Sequence, residues 1–191
     1  MVAENLSDDI EEKGLVLLDL DNTCICAIGK NDEIPHPEHF KNGKIFADYI
    51  IYERPYLQPF LKKLFKKYRV AVWTAAGISY ANFIIDNFIL IEPDRHLEFT
   101  MWNEHCEYSE DEYGHQKKLK ILMESIGERI PMVILDDNMG VLKTQSKNSV
   151  NSRKFDVASK KAKNDRFLLE NAMDEIDHKI KELKREIRKR R

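Results

Sequence analysis

No apolar run in this sequence approaches the ~18 residues that a membrane-spanning helix needs. The most apolar stretch, Phe83 to Ile91, is interrupted by Asp86 and Asn87. Cysteine is scarce, with Cys24, Cys26 and Cys106 as the whole set. An odd, sparse set excludes a disulfide scaffold and fits a reducing compartment. Cys24 and Cys26 lack the second Cys/His pair of a zinc site; they read as small core residues, the alternative being an oxidant-sensitive pair. The first residues carry Glu4, Asp8, Asp9, Glu11 and Glu12, which excludes a signal or transit peptide. No G-x-x-x-x-G-K-[ST] loop occurs, so P-loop nucleotide chemistry is excluded. Internal repeats and low-complexity segments are also missing. What remains is one intracellular domain, cytoplasmic or nuclear and not membrane-bound, long enough at 191 residues to bury a core.

Charge is unevenly spread. Residues 141–191 hold 16 Lys+Arg against 8 Asp+Glu, and the other 140 residues hold 15 against 25. The acidic body argues against a broad nucleic-acid-binding face there. The basic end, Arg185 to Arg191, has two readings: a solvated helix end matched to its dipole, or a binding tail for an acidic or nucleic-acid partner.

Apolar patterning predicts alternating strands and helices. Leu15–Leu18, Arg69–Trp73, His96–Met101 and Pro131–Leu135 read as strands. Helices are expected after Pro55, with Leu57, Phe60, Leu61, Leu64, Phe65 and Tyr68 inward, from Ser79 to Phe88, and from Lys117 to Ile126 with Leu119, Leu122 and Ile126 on one face. Such alternation argues for an α/β fold, a mainly parallel sheet with helices on both faces. Residues 1–13 read as an acidic lead-in, 14–172 as the domain, 27–52 as a polar loop or small flap of short strands, and 173–191 as a basic C-terminal helix. Ile176, Ile180, Leu183 and Ile187 give that helix an apolar stripe.

Polar clusters follow the predicted strands. Asp19-Leu20-Asp21-Asn22-Thr23 comes first, Thr74-Ala75 second and Asp136-Asp137-Asn138 third, with Lys117 and Lys118 between the last two. Ligands of open α/β sheets bind at the carboxyl ends of strands. Residues i and i+2 of an extended segment point the same way, so Asp19 and Asp21 can face one reacting group. Asp and Asn also favour plain turns. Crowded carboxylate and amide oxygens require a hard cation, with Mg2+ the usual choice. With a lysine it neutralises a phosphoryl group that a carboxylate can attack.

With these residues the chain resembles the haloacid dehalogenase (HAD) superfamily. Within it, the chain is similar to the small C-terminal-domain phosphatases and NLI-interacting-factor-like proteins. D-x-D-x-T is matched by Asp19, Asp21 and Thr23, and R-P-x-L-x-x-F-L begins at Arg54. The Thr-Ala strand end is matched at Thr74-Ala75, Glu-His-Cys at Glu104-His105-Cys106, the motif lysine at Lys117 with Lys118 as alternative, and the closing Asp-Asn at Asp137-Asn138. Asp136-Asp137 can equally be read as the superfamily's acidic pair. The pattern is broken at two places: Asn103 stands where an arginine is usual, and Met139-Gly140 follow where Ser-Pro is common.

The resemblance implies a HAD-like Rossmannoid three-layer sandwich and a Mg2+-dependent phosphatase. Asp19 is then nucleophile and Asp21 acid/base. Asn22, Thr23, Thr74, Ala75 and Lys117 bind phosphate. Asp19, Asp21 through its carbonyl, Asp137 and Asn138 hold the metal. Asp136 and Lys118 are further candidates. The implied substrate is a phosphoprotein, on serine or threonine. The alternatives are a nucleic-acid end phosphatase aided by the basic tail, or a phospho-binding module with weak catalysis. Roughly 30 residues separate Thr23 from Arg54 and roughly 40 separate Thr74 from Lys117. Neither gap holds a full cap domain of ~50 residues or more, so the cleft is expected to be open and suited to a large substrate.

Overall fold

A computed structural model describes residues 13–108, 114–126 and 130–190. The predicted acidic lead-in, apart from Lys13, lies outside the described residues. Leu15–Leu18 (β1) is the middle of a five-stranded parallel sheet, and all four residues are buried. Arg69–Trp73 (β5) and Met132–Asp136 (β9) flank it, with Leu15 level with Arg69 on one side and Met132 on the other. Leu97–Met101 (β6) and Ser149–Asn151 (β10) form the edges, giving the order β10-β9-β1-β5-β6. A strand buried on both faces reads as a continuous apolar run, which is why β1, β5 and β9 were visible in the sequence. β10 was not predicted. Its three residues, Ser-Val-Asn, are too few and too polar to show a pattern.

The two faces of β1 enter different cores. Val16 and Leu18 pack with Leu57–Lys67 (α1), Ile78–Ile84 (α2), Phe167–Glu170 (α5) and Ala172–Lys189 (α6). Leu15 and Leu17 pack with Leu119–Ile126 (α3) and with Val141 of Met139–Thr144 (α4). The result is three layers. Helix α1 buries Leu57, Phe60, Leu61 and Leu64 and exposes its lysines, as its spacing predicted. Pro55 lies in the turn before α1 rather than in its first turn, and Tyr56 caps the helix at φ 66°. Beyond Ile84 the predicted helix continues as a π turn over Ile85–Ile89. Ile126, expected to face inward, ends α3 at 39 % exposure, while Ile130 enters the core there.

The 27–52 region is a small antiparallel sheet of Ile25–Gly29 (β2), Lys44–Phe46 (β3) and Tyr49–Glu53 (β4), in the order β2-β4-β3. Phe46 packs against Tyr80 and Phe83 with ring centroids 5.4 and 5.0 Å apart, which seats the flap on α2. Glu107–Tyr108 (β7) and His115–Gln116 (β8) form a two-stranded ladder. The apolar stripe of α6 packs within the chain: Ile176 and Ile180 belong to the larger core, and Ile180 lies against Gly14. Gly14 has φ +83°, and an added Cβ would meet the Pro131 carbonyl oxygen at 3.2 Å, so glycine fits both the conformation and the space. No described helix is long and apolar enough to cross a membrane.

Candidate active site

The chain runs from β1 outward to β5 and β6, then returns to β9 and β10 on the other side of β1. The order therefore switches between β1 and β9, where open α/β sheets form their crevice. Asp19 leaves β1 there with its N–H on the Leu135 carbonyl at 3.0 Å. Asp136 ends β9, and carboxylate oxygens of Asp19, Asp136 and Asp137 all lie within 4.8 Å of one another. Lys117 precedes α3, rather than beginning it. Its buried ammonium donates to Asp19 Oδ1 at 2.5 Å and to Asp136 Oδ2 at 2.8 Å. Lys118 points outward and pairs with Glu107. Of the two lysines, Lys117 is the one that lies among the carboxylates.

Burial pushes the Asp19 carboxyl up to about 8, with Lys117 pulling it down and Asp136 raising it further. Burial, then Asp136, pushes Asp137 up to about 6. Burial by itself would lower the Lys117 pKa, but Asp136 and Asp19 outweigh it and the ammonium is held above its ordinary value. Three carboxylates around one ammonium leave a negative site of hard oxygen donors, and such a donor set fits Mg2+.

Asp136 is more central than the sequence suggested. Its Oδ1 accepts the Asn138 N–H at 2.8 Å while Oδ2 holds Lys117. Asn138 Oδ1 accepts the Gly140 N–H at 2.7 Å and caps α4. The acidic pair facing Asp19 is therefore Asp136-Asp137, the second of the two registers open in the sequence.

Asp21 is near Asp19 but outside that cluster. Leu20 between them is fully buried in the core, so the two acids turn to the other side. Asp21 Oδ1 accepts the Tyr80 hydroxyl at 2.6 Å. Burial raises the Asp21 pKa and the Tyr80 bond opposes that rise. Thr74 is buried at the end of β5, with its Oγ1 accepting the Ala76 N–H at 3.1 Å across half-buried Ala75.

Thr23 departs from its predicted role. Its side chain is fully buried, and its hydroxyl pairs with that of Ser152 at 2.9 Å. A hydroxyl so enclosed cannot meet a phosphate; it locks the loop. Asn22 is left-handed at φ 58°, its N–H bonds the Ile25 carbonyl and its carbonyl accepts the Phe155 N–H, each at 2.7 Å. Both Asn22 backbone groups are thus used inside the fold.

Three supports carried no sequence signal for their roles. Arg54 is buried, clasps Asp165 with two bonds of 3.2 and 2.8 Å, and donates to the Thr23 carbonyl at 3.0 Å. Gln145 donates to the Lys117 carbonyl and accepts the Leu119 N–H, so one amide holds the turn carrying the lysine. Tyr80 was legible as an inward helix residue and in the Tyr-Ala that follows Thr74-Ala75 in the family pattern, but not as a partner of Asp21. Cys24 and Cys26 are buried free thiols whose pKa values burial raises, as inert core cysteines require.

The basic end of α6 is remote from these groups. Lys179 donates to the Ser146 carbonyl and Glu186 pairs with Lys147, both just ahead of β10, while Ile180 meets Gly14 just ahead of β1. These are amino ends of parallel strands, and the carboxylates sit at the carboxyl ends.

A switch-point crevice with a lysine-clamped aspartate defines the class: a HAD-like fold of the phosphatase type. The profile of NLI interacting factor-like phosphatases matches residues 14–188, and the chain belongs to that family. CTD phosphatase-like protein 355R of Invertebrate iridescent virus 3 is 35 % identical over 172 residues, covering 83 % of this chain and 92 % of the relative. Its counterpart in Invertebrate iridescent virus 6 is 37 % identical over 156 residues, covering 73 % and 85 %. Among solved structures, fission yeast RNA polymerase II CTD phosphatase Fcp1 bound to beryllium fluoride superposes with a TM-score of 0.59 at 20 % identity. That match covers 95 % of this chain and 54 % of Fcp1, so the chain spans about half the length of that structure.

Proposed function

We propose that the protein is a Mg2+-dependent phosphatase that hydrolyses phosphoserine or phosphothreonine in a protein substrate through an aspartyl-phosphate on Asp19. The observation that carries this reading is the different treatment of the two acids. Asp19 is gripped by Lys117 in the carboxylate cluster, and Asp21 is held apart by Tyr80. A nucleophile needs a fixed oxygen, and Lys117 with a bound cation would favour its charged form against the burial that raises the Asp19 pKa. An acid/base needs a raised pKa and a position beside the leaving group.

Asp19 attacks phosphorus, and the bond from phosphorus to the serine or threonine oxygen breaks. Protonated Asp21 gives that oxygen its proton. Asp21, now a carboxylate, takes a proton from a water that attacks the same phosphorus; the bond to Asp19 breaks and inorganic phosphate leaves. Lys117 and the Thr74 hydroxyl are assigned to the phosphoryl oxygens. Asp19, Asp137 and the Asp21 carbonyl would hold Mg2+, which supplies countercharge for the phosphoryl group. Asp136, with both oxygens already bonded, orients Lys117 and the Asn138 turn. Relatives described as CTD phosphatase-like support a phosphoprotein substrate, and so does a flap too small to enclose a small metabolite.

The test is a panel of phosphoserine, phosphothreonine and phosphotyrosine peptides beside oligonucleotides with 3′- and 5′-phosphates, with Asp19→Asn protein as the blank. Preferred turnover of the serine and threonine peptides is expected. Faster release from oligonucleotide ends would replace this reading.

A further inference from the structure

The excess positive charge of the C-terminal quarter falls in two places. One is the remote end of α6. The other is the loop between β10 and α5, where Arg153, Lys154, Lys160, Lys161, Lys163 and Arg166 are all exposed. This loop is built onto the active site. Ser152 bonds Thr23 through its hydroxyl at 2.9 Å and donates its N–H to the Asp136 carbonyl at 2.9 Å. It therefore touches both acid-bearing loops, and the cations begin at the next residue. Lys154 is near enough to Asp137 for its charge to oppose the rise in that carboxyl's pKa. His36 Nε2 donates to the Lys160 carbonyl at 3.2 Å, which joins the flap to the same loop.

Arg153, Lys154, Lys161 and Arg166 line one groove of about 500 Å3. Its carboxylates are already engaged: Asp165 clasps Arg54, and Asp156 Oδ1 accepts the Ala158 N–H at 2.9 Å. Arg166 is paired with Glu170 and Arg153 stacks over the Phe167 ring. Lys154, Lys160, Lys161 and Lys163 make no ion pair with any described residue. Of these four, Lys154 and Lys161 line the groove itself and Lys160 and Lys163 flank it on the same loop, so unpaired positive charge gathers at the groove and favours an anion there.

We propose that this groove is a second anion site that docks an acidic or phosphorylated flank of the polypeptide whose phosphate is removed. The inference rests on the phosphoprotein reading above. A polypeptide fits better than a nucleic acid. Single strands are held by stacking on exposed rings as well as by charge, and the groove's own rings, Phe155 and Phe167, are 1 % and 4 % exposed. The acidic remainder of the surface would also repel a long polyanion, whereas a short charged flank meets only the groove.

The test uses the full chain carrying Asp19→Asn and fluorescence anisotropy with three probes. These are a peptide with one phosphoserine in a neutral sequence, the same peptide with a second phosphoserine nearby, and a 5′-phosphorylated single-stranded oligonucleotide. The second phosphate is expected to tighten binding roughly tenfold at low salt, two or more lysine contacts contributing. Lys154→Glu with Lys161→Glu is expected to erase the difference between the two peptides, and Lys161→Gln to reduce it. Equal affinity of both peptides for the unaltered groove overturns the inference and leaves the proposed function standing. Failure of both peptides to bind overturns both. Tighter binding of the oligonucleotide, lost in the same lysine variants, overturns the polypeptide assignment.

Discussion

Asp19 and Asp21 are two positions apart, yet one faces an ammonium and the other a phenol. In the proposed mechanism that difference divides their labour, and it makes the division testable. Asp19→Asn is expected to reduce turnover of an aryl phosphate below roughly one per cent, with the thermal midpoint unchanged or raised because one of three crowded carboxylates is neutralised. Turnover above that level would move the nucleophile elsewhere. Tyr80→Phe removes a bond that lowers the Asp21 pKa. The acidic limb of the rate profile, where Asp21 must be unprotonated to activate water, is expected to move to higher pH. An unmoved limb in Tyr80→Phe would detach Tyr80 from the proton step. If the carboxylates hold Mg2+ as proposed, metal binding is proton-linked. Asp19 and Asp137 are raised from 3.8 to about 8 and about 6, so the cation-free fold binds more protons than the unfolded chain over that range. Its stability then falls as pH rises from about 4 to 8. Mg2+ favours the charged forms, so the rise in melting temperature on adding Mg2+ is expected to be larger near pH 8 than near pH 5. Equal rises at both values would show that these carboxylates are not the ligands.

At the scale of elements, the site depends on ties between segments distant in sequence. Arg54 ends the flap, Asp165 precedes α5, and their pair closes over the loop that carries Asp21 to Thr23. The guanidinium lies between the Phe155 and Phe167 rings, with centroids at 5.7 and 5.2 Å. Asp165→Ala strands this buried charge, and removing one partner of a buried pair costs about 3–5 kcal/mol. Urea unfolding measures it. A loss under about 1 kcal/mol would mean that water or another acceptor reaches Arg54. Arg54 was legible as part of a motif, but its partner was not, because nothing in a sequence pairs positions 54 and 165. The helices and the central strands were legible because apolar spacing states their burial directly. Lys117 could not be separated from Lys118 until α3 was seen to begin at Leu119, which leaves Lys117 inside the crevice and Lys118 on the surface.

For the whole molecule, the decisive fact is which charges share an end of the sheet. The carboxylates, flap and basic groove occupy the carboxyl end; the basic terminus of α6 occupies the other. Removing residues 185–191 is therefore expected to leave kcat/KM for phosphopeptides and for phosphorylated oligonucleotides within about twofold. A collapse of oligonucleotide turnover with a steep salt dependence would restore the tail to the site.

The sequence by itself singled out the residues on which the proposed chemistry rests. Asp19, Asp21, Thr74 and Lys117 could be named from strand ends and motif order, because apolar periodicity marks strands and α/β sheets bring their ends together. Tertiary structure alone decided the register of Asp136-Asp137 and the inward turn of Thr23. It alone separated the basic groove from the basic tail. Each of these depends on which way a side chain points once distant segments pack, and linear order carries no record of that direction.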